Sequence, residues 1–431
     1  MTLRLGAAHA DITPPPGLDI AGGLAPTPSR GTRDPLLCKA LVLDDGTTRA
    51  ALVALDLLAI ERPEALLARA LIAARTGIAP EHALIACSHT HQGPTTIHYA
   101  ACAWPTDYME ALPRRIADVV ATAAVAAEPV EWGHAVARES GVGHYRRVRL
   151  ADGRVRNTWQ LPSDAAVAGP LGEIDPELPI TAFRGDTGLR ALVLNYACHA
   201  TCRGDGRWSA NYPGCLAESL GRAVGLDPGR ILYTAGAAAN TNPREPYLDA
   251  ADLGARLASV VPPALGEIAW RRGARLVVRE HAISLPPRRI EAFPYAQVEE
   301  VWNNRGSQLG FALSLKYYAD EYAKLVGRGP VPAETALQVL AIGPELALVA
   351  VPGELFVELG REIEGRSPFL CTVLVTLAND WVGYIPHRAA FDEGGYETIF
   401  ASQSRLAPEA GDLVVAAALA LLEEAASAAA P

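Results

Sequence analysis

The sequence lacks any apolar run of membrane-spanning length, and its first residues contain no apolar segment. Nowhere does an uninterrupted apolar stretch reach the roughly 18 residues of a membrane span. Residues 1–6 lack the apolar core of a secretory signal. The alanine-rich segment 414–430 carries Glu423 and Glu424, which is typical of an amphipathic helix. We therefore predict no secretory signal and no stable insertion into a membrane.

Positive charge is also scarce. Lys and Arg number 38 against 48 Asp and Glu, which gives a net charge of −10 and an isoelectric point near 5.5. Because a nucleic-acid surface needs a basic stripe that neutralises phosphates, we predict no nucleic-acid partner. The densest basic cluster is predicted to be mostly solvated on a hairpin edge, and its members are Arg146, Arg147, Arg149, Arg154 and Arg156.

Cysteines are few and odd in number. Seven cysteines in a long chain without a predicted signal favour a reducing, cytoplasmic location. Cys198 and Cys202 flank His199, but no second cysteine pair accompanies them, so a thiolate metal site is not expected. Cys87 is interpreted as a small core residue, since nothing nearby in sequence would lower its pKa.

What the chain does have is enough apolar sequence for a large core. Half of its 431 residues are apolar and a fifth are charged. No low-complexity linker or solenoid-type repeat divides it, so residues 1–431 are predicted to form a single domain. Because strands and helices are mixed and hairpins are frequent, we predict an α+β fold with mixed or antiparallel sheets packed centrally and covered by helices.

Apolar patterning and turn residues predict the elements individually. The predicted strand segments are 38–43, 50–55, a strand that starts with the apolar run 83–87 and ends at His89, 130–137, 179–184, 189–196, 230–233, 275–284, 336–342, 346–351 and 371–377. The predicted helices are 62–76, 107–127 with an interruption near Pro113, 213–224, 248–268, a helix ending near 363, and 414–430.

The most informative motif is Ser88-His89-Thr90-His91-Gln92-Gly93-Pro94, directly after an apolar strand. Two histidines spaced i, i+2 at a strand end place both imidazoles at one rim of the sheet. Histidine is the commonest metal ligand and the usual base near neutral pH. The motif therefore predicts a catalytic edge, with two purely structural histidines as the alternative.

Three further segments follow the same design, an apolar strand that ends in a metal-competent residue. The residues at these strand ends are His199, Glu354 and the segment 379–384. Two imidazoles and a carboxylate with one open position form a catalytic zinc set. Each residue also has a plainer interpretation, since His199 could be a core histidine and Glu354 could cap a helix. Spacing alone does not show that these residues meet.

An ordered series of motifs runs from residue 6 to about residue 400. The series consists of Gly6-Ala7-Ala8-His9-Ala10-Asp11-Ile12-Thr13-Pro14-Pro15, Arg33-Asp34-Pro35-Leu36, Leu55-Asp56-Leu57-Leu58, the 88–94 motif, Asp175-Pro176-Glu177, 195–201, 209–214, the 236–243 loop, Pro352-Gly353-Glu354 and Gly383-Tyr384. This series resembles the neutral/alkaline (non-lysosomal) ceramidase family. The length and order of the series are specific, although no single motif is.

The resemblance implies roles residue by residue. The zinc ligands it implies are His89, His199, Glu354 and Tyr384. It further implies that His91 contacts the metal-bound water or substrate and acts as base, that Arg146 binds the scissile amide, and that Tyr396 lies beside the developing oxyanion. The roles of Tyr384 and Tyr396 could be exchanged, because both lie on one segment.

Three departures from the family pattern change the expected chemistry. Asn242 stands where the family carries a serine that is sometimes assigned as nucleophile, so attack by a metal-activated water is favoured over an acyl-enzyme route. Asn240 and Asn211 stand where carboxylates are common, which makes contacts around the metal ligands neutral. The C-terminal immunoglobulin-like domain of the long ceramidases is expected to be missing, which weakens ceramide as the substrate.

The sequence thus predicts a zinc-dependent hydrolase that cleaves a linear amide in a small molecule, smaller or more soluble than ceramide. A metal-dependent esterase or lactonase on the same scaffold is one alternative, and a non-catalytic ligand-binding protein is another. A homo-oligomer is left open. Four aromatic residues could line a substrate pocket, although helical spacing favours the core for them: Trp302, Tyr317, Tyr318 and Tyr322.

Overall fold

The computed structural model describes residues 2–98, 102–161, 164–290, 292–302 and 308–429. Its strands are β1 (Arg4–Asp11), β2 (Leu37–Asp44), β3 (Arg49–Leu55), β4 (Ala83–Cys87), β5 (Glu128–Pro129), β6 (Glu131–Arg138), β7 (Gly143–Tyr145), β8 (Arg147–Leu150), β9 (Val155–Asn157), β10 (Val167–Pro170), β11 (Glu177–Gly185), β12 (Gly188–Tyr196), β13 (Ile231–Ala235), β14 (Thr241–Pro243), β15 (Leu276–Leu285), β16 (Ala333–Ile342), β17 (Leu346–Ala350), β18 (Glu354–Leu355), β19 (Cys371–Val375) and β20 (Tyr384–Ile385). Its α-helices are α1 (Arg62–Thr76), α2 (Thr106–Val125), α3 (Asn211–Val224), α4 (Ala250–Gly266), α5 (Tyr295–Trp302), α6 (Gln308–Arg328), α7 (Val357–Arg366), α8 (Ala389–Glu393) and α9 (Ala410–Ala429).

Three larger sheets form the centre of the described part of the chain. Their strand orders are β4-β3-β2-β1-β5, β13-β12-β11-β6 and β15-β16-β17-β19. Each sheet is antiparallel except for one parallel pair, namely β3 with β4, β12 with β13, and β17 with β19. The predicted α+β fold with mixed sheets is confirmed.

The same order of elements occurs three times within the described residues. A strand and a β-hairpin are followed by a crossover helix and a parallel edge strand, in β1-β2-β3-α1-β4, β6-β11-β12-α3-β13 and β15-β16-β17-α7-β19. A hairpin needs only a tight turn, whereas a parallel return needs a crossover, which the helix supplies. The last two strands of each unit therefore end at the same edge of their sheet.

The sheets pack on one another and carry helices on their outer faces. In β2, Leu41 and Leu43 point into the cluster between the sheets, whereas Ala40 and Val42 point toward the helices. This alternation follows from the period-2 geometry of a strand. The central cluster includes Trp132, which is fully buried. Each leucine buried there contributes about 1.5–3 kcal/mol of transfer free energy.

Three helices differ from the predicted ones in their start or in their continuity. Helix α4 begins at Ala250, since the Asp249 side chain accepts the amide of Ala251. Helix α2 continues through Pro113, because its buried face holds it together despite the lost backbone hydrogen bond. Helix α9 begins at Ala410 rather than at 414, and residue 430 lies outside the described residues.

Within the described ranges, none of the helices combines the length and the apolarity that crossing a membrane requires. The single-domain assignment of residues 1–431 stays a prediction.

Candidate active site

His89, His91 and His199 come together where two strands end. Strand β4 ends at Cys87, and His89 follows with a left-handed backbone (φ 63°). The His89 amide donates a hydrogen bond to the Leu57 carbonyl at 3.0 Å, which fixes this backbone. Nε2 of His91 lies 3.2 Å from Nε2 of His89. The ligand atoms of the three histidines all lie within 4.8 Å of one another. The two histidines of the sequence motif therefore share one rim, and His199 faces them.

Backbone carbonyls fix the orientation of two of these rings. Nδ1 of His89 lies 2.9 Å from the Leu58 carbonyl, and Nδ1 of His199 lies 2.6 Å from the Ala238 carbonyl. Since a carbonyl only accepts, Nδ1 donates its proton in each ring, and Nε2 is the ring nitrogen that faces the cluster.

Burial also keeps two of the imidazoles neutral. Burial and then the Arg146 guanidinium lower the pKa of His199 to about 4. Burial lowers the pKa of His91 well below its ordinary value, with His89 and His199 adding to the effect. A neutral imidazole is the form that binds metal ions and accepts protons.

Glu354 joins the histidines through a short parallel strand pair. In the pairing of β18 with β20, Glu354 is the direct partner of Tyr384. The Glu354 amide bonds the Gly383 carbonyl at 2.9 Å. Because helix α7 has Phe356 at its N-cap, the alternative that Glu354 caps this helix is wrong.

The Glu354 carboxylate faces the imidazoles. Its Oε2 lies 3.5 Å from Nε2 of both His89 and His199 and has no other hydrogen-bond partner among the described residues. Its Oε1 accepts a hydrogen bond from Trp381 Nε1 at 3.2 Å. Burial raises the pKa of Glu354, but the facing imidazoles outweigh it and hold the pKa well below its usual range. The carboxylate is therefore ionised.

These donors fit a divalent cation. Nε2 of His89 and Nε2 of His199 both face a buried carboxylate oxygen that lacks any other partner within the described residues, and two imidazoles with a carboxylate are the donor set of zinc sites. His91 belongs to the same cluster by distance. The geometry thus brings together three predicted ligands and the predicted proton-handling residue.

Arg146 is buried beside this cluster. Its Nη1 lies 3.2 Å from Nε2 of His199, and its Nη2 donates to the Tyr384 hydroxyl at 3.2 Å. Its Nε donates to Oε1 of Glu397 at 2.8 Å, and Nη1 also contacts Oδ1 of Asn242 at 3.3 Å. Burial lowers the pKa of Arg146, but Tyr384 and Glu397 more than offset this, so the guanidinium stays charged.

The prediction that the arginine cluster is mostly solvated is wrong. Three of its five members are buried, and each of them faces a glutamate; the pairs are Arg146 with Glu397, Arg147 with Glu393 and Glu397, and Arg156 with Glu300. Arginines enter protein interiors when they are paired. The paired carboxylates lie far away in sequence, so the local pattern gave no sign of them.

A cavity of about 990 Å³ opens over the cluster. The predicted site residues that line it are His91, Arg146, His199, Tyr384 and Tyr396. His89 and Glu354 lie in a smaller adjoining recess, together with His91, Tyr384 and Tyr396. The seven predicted site residues therefore meet around one cavity and its recess.

An aromatic wall lines one part of the cavity. The ring centroids of Trp159 and Tyr396 are 5.2 Å apart, and those of Trp302 and Tyr396 are 6.1 Å apart. Tyr317 and Tyr318 are buried as predicted, whereas Trp302 also borders the cavity. Sequence reasoning missed Trp159, because it lies in a loop-rich stretch without periodicity.

The asparagine of the 236–243 loop that was expected near the metal has a structural role. The Asn240 side chain accepts a hydrogen bond at 3.0 Å from the amide of Val357, the first residue of α7. It donates to the Tyr145 hydroxyl at 3.1 Å and to Oε2 of Glu358 at 2.8 Å. Asn240 therefore joins the loop after β13 to helix α7.

Of the other two asparagines, Asn211 supports a loop and Asn242 lines the cavity. The Asn211 side chain accepts a hydrogen bond from the Cys202 amide at 3.3 Å and donates one to the Cys202 carbonyl at 3.2 Å. Asn211 therefore holds the loop that follows His199. Asn242 lines the cavity and accepts from Arg146.

The fold is that of the neutral ceramidases, and the cluster gives it a candidate metal site. The structure is similar to the crystal structure of neutral ceramidase from Pseudomonas aeruginosa, with a TM-score of 0.72 and 18% identity over 98% of this chain and 75% of that one. It is also similar to a ceramidase complexed with C2, with a TM-score of 0.73 and 18% identity over 98% of this chain and 76% of that one. No protein-family model and no curated protein sequence matches the chain.

Proposed function

We propose that this protein is a zinc-dependent hydrolase that cleaves a linear amide in a small molecule, as a ceramidase-like enzyme. The observation that carries the proposal is the convergence of two oriented imidazoles, an otherwise unpartnered carboxylate oxygen and a buried arginine at the base of a cavity, all within the described residues. The likeness in fold to neutral ceramidases supports the same chemistry.

In this proposal the cation is held by His89, His199, Glu354 and Tyr384. When bound, zinc would polarise the scissile carbonyl and lower the pKa of a bound water to about 7. The Tyr384 hydroxyl is protonated in the metal-free protein, because burial and then Glu354 raise its pKa well above the ordinary value. A divalent cation favours the ionised phenol, so Tyr384 would lose its proton on binding one.

The remaining residues handle the substrate and the proton. His91, neutral at pH 7, would accept a proton from the attacking water and pass it to the leaving amine. Arg146, already charged and held by Glu397, would donate to the substrate oxygen as negative charge develops. Tyr396 would hold the substrate beside Arg146, whose guanidinium carbon lies 5.9 Å from the Tyr396 ring centroid.

A nucleophilic side chain in the 236–243 loop is not part of the proposal. Asn242 occupies the position of the family's serine, and a carboxamide does not form an acyl-enzyme. The predicted cytoplasmic location and any homo-oligomer stay outside these observations and are retained as predictions.

The test compares metal content and hydrolysis in two histidine variants. We expect His89→Ala to lose bound zinc and activity on a lauroyl amide, because it removes one oriented Nε2 donor. His281→Ala is the matched control, since His281 is exposed on β15, where its Nε2 lies 3.3 Å from Oε2 of Glu424. Metal per chain is measured by mass spectrometry after chelation and reloading with zinc.

A matched lauroyl ester separates the alternatives. Hydrolysis of the ester with an inert amide would favour the esterase or lactonase. Zinc-loaded protein that is inert on both would favour the non-catalytic binder, and unchanged zinc and activity in His89→Ala would refute the assigned site.

A further inference from the structure

The cavity over the candidate site presents two chemically different sides. One is apolar and is formed by the mutually contacting rings of Trp159, Trp302 and Tyr396. The other carries charge and is formed by the segments that contain Arg203, Arg244 and Glu245.

Arg146 stands between the two sides. Its guanidinium carbon is 5.9 Å from the Tyr396 ring centroid on the apolar side. Its Nη1 is 3.3 Å from Oδ1 of Asn242, which precedes Pro243 and Arg244 in the chain. A substrate whose scissile carbonyl faces Arg146 therefore has apolar surface toward one end and arginine toward the other.

Arg244 is the uncompensated charge at this rim among the described residues. Arg203 and Glu245 pair with each other, Nη2 to Oε1 at 2.7 Å, and so cancel. The exposed Arg244 side chain has no hydrogen-bond or ion-pair partner in the part of the chain that the structure describes.

The backbone at Arg244 is nevertheless well supported. Strand β14 pairs with β7 so that Pro243 is the partner of Gly143. The Arg244 amide then bonds the Val142 carbonyl at 3.0 Å. A fixed backbone with an available guanidinium suits the recognition of a ligand carboxylate, which accepts two parallel hydrogen bonds from arginine.

We propose that the substrates are N-acyl amino acids: the acyl chain lies on the aromatic wall, and the carboxylate of the leaving amino acid binds Arg244. This inference rests on the proposed amide hydrolysis and adds the chemistry of the amine. Hydrolysis breaks the C–N bond, adds water across it, and releases a fatty acid and a free amino acid.

The experiment compares three amides with acyl chains of lauroyl length on the zinc-loaded enzyme. The probes are N-lauroylglycine, its uncharged analogue N-lauroylglycinamide, and an ethanolamide with the carboxylate moved to the far end of the acyl chain. We expect kcat/KM for N-lauroylglycine to exceed that for the glycinamide by about tenfold, the value of one exposed charge-assisted contact. The far-end carboxylate should give no advantage.

Variants of Arg244 assign the preference to this residue. Arg244→Ala should lower kcat/KM for N-lauroylglycine about tenfold and leave the glycinamide unchanged, and Arg244→Lys should recover part of the loss. Arg222→Ala is the control, because Arg222 is an exposed arginine on α3 that pairs with Glu218 on the same helix. Calorimetry of N-lauroylglycine binding to chelator-treated protein should also show weaker binding for Arg244→Ala than for the wild type.

The outcomes separate this inference from the function on which it rests. Equal rates on the charged and uncharged amides, unaffected by Arg244→Ala, would overturn the carboxylate assignment and leave amide hydrolysis standing. An Arg244-dependent gain on the far-end carboxylate would also overturn it, since the acyl end would then lie at the arginine. Failure to hydrolyse any of the three amides would contradict both the inference and the proposed function.

Discussion

Arg146 and Glu397 form a buried ion pair, with Nε 2.8 Å from Oε1, although 251 residues separate them in the chain. Glu397 also accepts from Asn157 at 2.7 Å and faces Arg147 at 3.4 Å. Because Arg146 reaches His199 and Tyr384 with its other nitrogens, Glu397 holds the arginine in the site. Glu397 is therefore a positioning residue that sequence reasoning did not identify.

Replacing Glu397 tests this arrangement. Glu397→Gln should lower the free energy of unfolding by about 3–5 kcal/mol, since it removes the paired carboxylate of the buried Arg146 and leaves Arg147 with Glu393. It should also lower kcat on an amide substrate by about 100-fold as Arg146 loses its fixed orientation. Urea unfolding and steady-state kinetics measure the two effects.

The control for that variant is Glu393→Gln. Glu393 pairs with Arg147 at 2.9 Å but is partly exposed and does not contact Arg146. We expect a smaller loss of stability and little change in kcat. Equal losses of kcat in the two variants would argue against a positioning role for Glu397.

The same ion pair predicts a dependence of stability on pH. Burial raises the pKa of Glu397, but Arg146 and Arg147 outweigh this, so its pKa in the folded protein lies below the ordinary value. The stability it contributes is fully present above the unfolded pKa of about 4.3 and is lost as the pH falls through the folded pKa. The difference in unfolding free energy between wild type and Glu397→Gln should therefore shrink below about pH 4.3. A constant difference from pH 7 to pH 3 would contradict this.

Two adjacent glycines offer a matched test of His91. A Cβ built on Gly22 (φ +89°) would lie 2.1 Å from Nδ1 of His91, whereas a Cβ on Gly23 meets nothing closer than the Ala25 carbonyl oxygen at 3.7 Å among the described residues. Gly22→Ala should displace His91 and reduce activity severely, with a backbone cost of about 1–2 kcal/mol. Gly23→Ala should keep near wild-type activity. Equal activity of the two variants would show that the His91 position is not required.

Replacement by aspartate should lower the stability of the protein at Asn240 but not at Asn242. Asn240→Asp should destabilise the protein by about 1–3 kcal/mol, because the new carboxylate loses two donated hydrogen bonds and faces Glu358. Asn242→Asp should be tolerated, since Arg146 lies 3.3 Å away and can pair with it. Thermal unfolding of the two variants measures the difference. Wild-type stability of Asn240→Asp would refute the structural role of Asn240, and destabilisation of Asn242→Asp would contradict its pairing with Arg146.

Much of the fold could be predicted because its strands and hairpins are encoded locally. The hairpins β2–β3, β11–β12 and β16–β17 follow from apolar strands with turn residues between them, and the structure contains all three. The continuity of α2 and the start of α4 were less predictable, since packing carries α2 through Pro113 and the Asp249 side chain caps the start of α4.

The candidate site divides in the same way. His89 and His91 are two residues apart at a strand end, so their proximity is a local property, and they lie together in the structure. The burial of Arg146 and Arg147 was predicted wrongly because Glu397 reaches them only through the tertiary fold.

By itself, the sequence determined which residue types stand at the strand ends and which segments form the strands that carry them, because apolar periodicity and turn chemistry act over short distances. Only the tertiary structure decided that these ends meet. Glu354 becomes the partner of Tyr384 through the pairing of β18 with β20, and its carboxylate comes to face His89 and His199 through the packing of the three sheets. Such contacts depend on long-range burial and hydrogen bonding, which no local pattern specifies.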